Sequence, residues 1–181
     1  MKSVLIPLAP GFEDMEAVTL IDLLRRAGIE VVTAGLTAGL IEGSRGVLVQ
    51  PDTTLDEVMT RDFDMIALPG GMPGAENLKN DARVLALLRR LGQAGKYTAA
   101  ICAAPMALAA AGLLEGHRAT SFPGFLDNLP NTIALPDPVV VDGKVATSRG
   151  PGTAMDFGLT LIELLAGRAK RDQVEAGLVR S

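Results

Sequence analysis

The chain has no tryptophan, one tyrosine, one cysteine and one histidine, and its aromatic residues amount to 3% of 181 positions. With so few rings, the core must be built mainly of Leu, Val, Ile, Ala and Met, within an apolar content of 48%. A single cysteine excludes an internal disulfide. With no signal-peptide cleavage pattern following Met1-Lys2, this leads to the expectation of a reducing, cytoplasmic compartment. A single histidine, His117, excludes a multi-histidine metal site, and neither metal nor cofactor is expected. His117 lies in the polar turn Leu114-Glu115-Gly116-His117-Arg118 and reads as exposed. No apolar run approaches the ~20 residues that span a bilayer, so no membrane association is expected. The formal charge of -4 and the pI near 5.0 lack the basic face that nucleic acid requires. The run Arg168-Ala169-Lys170-Arg171 reads as a solvated helix end, where cations complement the dipole of a helix C-terminus.

What is present fits one domain over residues 1–181. Short apolar runs alternate with longer stretches of helical period, the pattern of βαβ units around a mainly parallel sheet. Residues 3–8 read as the first strand. Residues 13–27 read as a helix, with Met15, Val18, Leu20, Ile21 and Leu24 at helical spacing and Gly28 as its stop. Strands are expected at 30–36, 65–68 and 98–101, and a small hairpin at 41–51. Helices are expected at 54–57 (N-capped by Thr54), 81–91 and 103–111. A second hairpin at 139–147 precedes a last long helix at 153–165. The sum is an α/β three-layer sandwich, whose sites form outside the carboxyl ends of the parallel strands.

Three strands end in unusual sequences that should share that edge: Pro10-Gly11-Phe12-Glu13, Pro69-Gly70-Gly71 and Cys102-Ala103-Ala104-Pro105. Cys102 falls between a buried strand and a helix, the position of a nucleophile elbow. A helix N-terminus favours thiolate by about 0.3–1 kcal/mol, under one pKa unit, which alone does not make a strong nucleophile. A lone cysteine is most often an inert small hydrophobe, so its place argues for reactivity where its presence does not. The N–H groups of Gly71 and Ala103 are candidates for a two-donor oxyanion hole, each donor worth about 2.7–4 kcal/mol in a transition state. The same glycines also suit a plain strand-ending turn. Glu16 sits in a first helical turn, where acids occur for dipole reasons alone. If it faces Cys102, the two groups must share a proton. Glu13 and Gly70 are candidates for the substrate pocket. Gly150-Pro151-Gly152 opens a helix after a strand, but Met155 stands where a dinucleotide loop needs its third glycine and Pro151 lacks an N–H, so no nucleotide is assigned.

At these residues the sequence resembles the ThiJ/PfpI superfamily, in the branch of the parkinsonism-associated protein deglycase and its bacterial relatives. Gly11-Phe12-Glu13-Asp14-Met15-Glu16, Leu68-Pro69-Gly70-Gly71, Ala100-Ile101-Cys102-Ala103-Ala104-Pro105 and Thr147-Ser148-Arg149-Gly150-Pro151-Gly152-Thr153 match in order. The resemblance implies a flavodoxin-like sandwich and a homodimer with the helix over residues 13–26 at its interface. It implies Cys102 as nucleophile and oxidation-sensitive thiol, Glu16 as its protonated partner, and the Gly71 and Ala103 amides around the sulfur. The activity it implies is cofactor-independent glyoxalase or deglycase chemistry on methylglyoxal, glyoxal or their early protein adducts, in defence against carbonyl and oxidative stress. A second reading is a redox-sensing holding chaperone for unfolded protein, acting through oxidation of Cys102 without turnover. Two positions depart from the pattern. Ala103 stands where protease-like members carry a histidine, which removes the base of peptide hydrolysis and disfavours an amidotransferase-like hydrolase. Phe122, in Thr120-Ser121-Phe122-Pro123, stands in the expected substrate pocket where this branch often carries a histidine.

Overall fold

A computed structural model describes residues 1–180. The chain runs through β1 (Ser3–Leu8), α1 (Asp14–Arg26), β2 (Glu30–Gly35) and the two-residue strands β3 (Ile41–Glu42), β4 (Leu48–Val49) and β5 (Thr53–Thr54). Next come β6 (Met65–Leu68), α2 (Gly74–Asn80), α3 (Ala82–Gln93), β7 (Tyr97–Ile101), α4 (Pro105–Ala110), β8 (Arg118–Ala119) and β9 (Ile133–Ala134). The chain ends in β10 (Val139–Asp142), β11 (Val145–Ser148), α5 (Ala154–Ala166) and α6 (Arg168–Ala176).

The main sheet has the order β10-β11-β7-β6-β1-β2-β5, and only β10 runs antiparallel. The chain winds outward from β1 through β2 to β5, then returns to β6 on the other side of β1, which makes the doubly wound, flavodoxin-like sandwich. Such a reversal opens a crevice at the carboxyl ends of the strands flanking it. α1 packs on α5 and α5 on α6, while α2, α3 and α4 pack together and α3 meets β6 and β7. Strands covered on both faces are near-continuous apolar runs, and every residue of β1 and β6 is buried. Phe12, Phe63 and Phe157 are buried in this mostly aliphatic interior. On α3, Val84, Leu87, Leu88 and Leu91 form the buried stripe, and the Asp81 carboxylate caps the helix by accepting the Arg83 and Val84 N–H groups at 2.9 and 3.4 Å.

Several elements differ from the sequence expectation. The last long helix ends at Ala166, where Gly167 takes φ +84°, and α6 follows it. The basic run Arg168–Arg171 therefore opens a helix rather than closing one. Its unfavourable position against the dipole is offset by ion pairs to Asp172 and Glu175. The segment at 54–57 is a single 3-10 turn over Asp56–Val58 with no side-chain cap; the Glu57 carboxylate instead accepts from the Thr53 hydroxyl and the Thr54 N–H. α4 begins at Pro105, so Ala103 and Ala104 lie in the turn before it. α2 and the short strands β5, β8 and β9 are additions: a seven-residue helix following Pro69-Gly70-Gly71 and strands of two residues carry too little periodicity to read.

Candidate active site

The reversal of strand order places the ends of β1, β6 and β7 side by side, and each delivers one part of a single cluster. Cys102 follows β7 directly and takes φ +64°, a left-handed conformation that costs a residue with a Cβ about 1–3 kcal/mol. Neighbours hold it there. Its N–H donates to the Ser148 carbonyl at 2.9 Å and its carbonyl accepts the Phe122 N–H at 2.8 Å. The residue remains 9% exposed.

Glu16, in the first turn of α1, is fully buried. Its Oε2 accepts the Gly70 N–H at 2.7 Å, while Oε1 has no nitrogen or oxygen partner. The Cys102 thiol is close enough to interact with this carboxyl group. Gly70 makes that approach feasible, because a Cβ there would lie 2.6 Å from the Cys102 Cβ and 2.9 Å from Glu16 Oε2. Gly71, at φ +86°, presses its α-carbon against the turn before α1, where an added Cβ would overlap Glu13 N and the Gly11 carbonyl. The backbone N–H groups of Gly71 and Ala103 are near enough to the sulfur to favour its ionised form.

Burial pushes the Glu16 carboxyl up to about 7. The Gly70 N–H and the Cys102 thiol act against this rise, and the charge of Glu13 adds to it. Burial and then the Glu16 charge push the Cys102 thiol up to about 12. Both shifts express one condition, since two anions in this dry cleft cannot coexist. The carboxyl therefore titrates near neutral pH while the thiol holds its proton, and an ionised sulfur requires Glu16 to be protonated.

Of the other residues singled out from the sequence, Glu13 is buried, donates its N–H to the Gly70 carbonyl at 2.8 Å and accepts from Ser44 Oγ at 3.2 Å. Phe122 is 46% exposed, with its ring edge-to-face on Phe125 at 6.2 Å. His117 lies elsewhere. Its Nδ1 is 3.6 Å from Asp142, which pairs in register with Val145, the partner of Thr98 at the start of β7, so it belongs to the sheet edge opposite Cys102. Asp14 was passed over at the sequence level although it lies inside a quoted motif. Its buried carboxylate accepts the Arg45 and Val47 N–H groups at 2.8 and 2.9 Å and fastens the β3–β4 turn beside the start of α1. Among the described residues, no group of three His, Cys, Asp or Glu side chains is arranged to hold a metal ion, and no helix is long and apolar enough to cross a membrane.

A doubly wound α/β sandwich with a strained cysteine and a buried carboxyl group at its strand-order reversal is the class of protein defined so far. The profile of the DJ-1/PfpI family matches residues 2–164, and the chain belongs to that family. It is 45% identical to Protein dj-1beta of Drosophila melanogaster over 181 residues, covering 98% of this chain and 97% of that one. The crystal structure of Drosophila melanogaster DJ-1beta matches with a TM-score of 0.96 at 44% identity, over 99% of this chain and 98% of that one. Protein DJ-1 homolog A of Arabidopsis thaliana is 42% identical over 182 residues, 98% of this chain but 46% of the plant protein, so the chain spans about half of that relative. Glutathione-independent glyoxalase DJR-1.2 of Caenorhabditis elegans is 35% identical over 176 residues, covering 96% of this chain and 94% of the worm protein.

Proposed function

We propose that this protein is a cofactor-independent glyoxalase, with deglycase activity on early protein adducts of the same dicarbonyls, and that Cys102 is its nucleophile. The observation that carries the reading is the juxtaposition at one sheet edge of Cys102, held at φ +64°, and the fully buried Glu16 carboxyl, which burial pushes up to about 7. A base that titrates near the operating pH is suited to moving protons in both directions. The name of the worm relative is consistent with this chemistry.

The sulfur, ionised by transfer of its proton to Glu16, adds to the aldehyde carbon of methylglyoxal. The carbonyl oxygen takes the proton from Glu16, and the product is a hemithioacetal. Glu16, now ionised, removes the proton on that carbon to form an enediol and returns it to the adjacent carbon, giving the thioester of a 2-hydroxy acid. Water adds to the thioester, the C–S bond breaks and lactate leaves. The Gly71 and Ala103 amides hold the oxyanion in the first and last steps. Methylglyoxal and water balance lactate, with no oxidant or reductant consumed. NMR of the pure protein with methylglyoxal in D2O should show lactate formation dependent on Cys102, with deuterium at C2 when the Glu16 proton exchanges. Equal rates from wild type and Cys102→Ser would remove the reading.

A homodimer through α1 goes with this proposal, because Met15 and Val18 are 61% and 47% exposed on a helix whose other face is buried. A second role, peroxide sensing coupled to holding of unfolded protein, is favoured by the same two amides, which suit the oxygens of a sulfinate as well as an oxyanion. Mild peroxide should then add two oxygens selectively to Cys102, read by mass spectrometry.

A further inference from the structure

The loops that hydrogen-bond the Cys102 backbone carry a groove of about 410 Å³, walled by Phe122, Pro123, Pro138, Arg149, Pro151 and Thr153, with Cys102 itself outside the walls. The volume is in the range of small-molecule sites, and the apolar walls are the Phe122 ring and three prolines. Arg149, the one charged wall residue, directs Nη1 to the Pro136 carbonyl at 3.1 Å. Both sides of the groove hang on the backbone of Cys102. Phe122 donates its N–H to the Cys102 carbonyl, and the Cys102 N–H donates to Ser148, which precedes Arg149 and whose hydroxyl bonds Thr153 Oγ1 at 2.7 Å. Phe122 keeps 46% of its surface in water, with its ring close to Gly150, where an added Cβ would lie 3.5 Å from Cδ2. A carbonyl compound bearing only a methyl group leaves that ring wet. One bearing an aryl or branched alkyl group covers it and gains an aromatic contact worth roughly two- to tenfold beyond the area removed from water.

We propose that this groove is a subsite for an aryl or branched alkyl substituent on the 2-oxoaldehyde, and that Phe122 is its specificity-determining residue. The inference rests on the glyoxalase reading for its substrate class but not for its geometry, so two measurements separate them. The first is the ratio of kcat/KM for phenylglyoxal to that for methylglyoxal in wild type, Phe122→Leu and Phe122→Ala; comparing ratios cancels the intrinsic reactivity of the two aldehydes. The ratio is expected to fall roughly tenfold in Phe122→Ala and less in Phe122→Leu, mostly through KM. The second needs no turnover: the rate of Cys102 alkylation by phenacyl bromide relative to bromoacetone, followed by mass spectrometry in the same variants. Loss of the phenacyl preference in Phe122→Ala supports the subsite even if no variant turns over either aldehyde, an outcome that would sink the glyoxalase reading alone. Turnover of both aldehydes with ratios unchanged across the three proteins would overturn the subsite and leave the glyoxalase standing.

Discussion

The two edges of the same parallel sheet treat charge in opposite ways. At the amino edge, Lys2, Asp64, Lys96 and Lys144 immediately precede β1, β6, β7 and β11. Asp64 Oδ1 stands 3.4 Å from Lys2 Nζ and 3.2 Å from Lys96 Nζ, and Lys144 Nζ lies 3.9 Å above the Tyr97 ring. The Lys2 and Lys96 side chains are 54% and 41% exposed, so water screens each charge and each pair can be exchanged at little cost. At the carboxyl edge, Glu16 is shut away from water and its near titratable neighbour is a thiol rather than a cation. One edge dissipates its charge into solvent, whereas at the other burial opposes ionisation of both the carboxyl and the thiol. What distinguishes them is access to water together with the neighbour each carboxyl group is given: lysines at one edge, a thiol at the other.

The comparison breaks most readily at the sulfur. Cys102→Ser should fold and should lower turnover at least about 10³-fold, about 4 kcal/mol in the barrier, as read by lactate formation; a smaller loss would mean that the sulfur is not the nucleophile. Gly71→Ala places a Cβ at φ +86° against Glu13 and Gly11, and denaturant titration should show a loss of roughly 3 kcal/mol or more. Retained stability there would mean that the turn before α1 gives way. Glu16→Gln sharpens the contrast through pH. The wild-type carboxyl rises from an ordinary 4.5 to about 7, so its proton is held more tightly folded than unfolded. The stability that this proton confers is fully present below about pH 4.5 and is lost as pH rises through about 7. This group alone should then remove roughly 3 kcal/mol across that window, while Glu16→Gln should show no such fall in denaturation midpoints measured from pH 4 to 8. The smallest effect lies at the amino edge. Lys96→Ala should cost under about 1 kcal/mol, and the cost should shrink further in 1 M salt. A larger, salt-resistant loss would erase the distinction between the two edges.

How much of this was legible beforehand can be seen residue by residue. β1, β6 and β7 are mostly apolar because both faces are covered, so their existence and the edge at which they end followed from composition and order alone. The extended helix at α1 was readable from its spacing, as was the hairpin of β10 and β11. α2 was not, because seven residues beginning at a glycine complete fewer than two turns of periodicity. The break between α5 and α6 was also missed. Gly167 was visible, but its positive φ is decided by the packing of both helices. In the site, Cys102, Glu16, Gly70 and Gly71 were placed on the correct turns by their motifs. The amino-edge position of His117 emerged only from strand register, and the role of Asp14 only from the return of a distant turn onto α1.

From its residues alone, the chain determined an aliphatic doubly wound sandwich with its candidate site at the carboxyl edge, because burial on two faces, helical period and turn-forming glycines are local properties written in consecutive letters. Tertiary structure alone decided that the Glu16 carboxyl is fully buried next to Cys102 and that Phe122 walls a groove on the loops bonded to the Cys102 backbone. Both depend on water being excluded by segments remote in sequence, and desolvation is a property of a place, not of a residue.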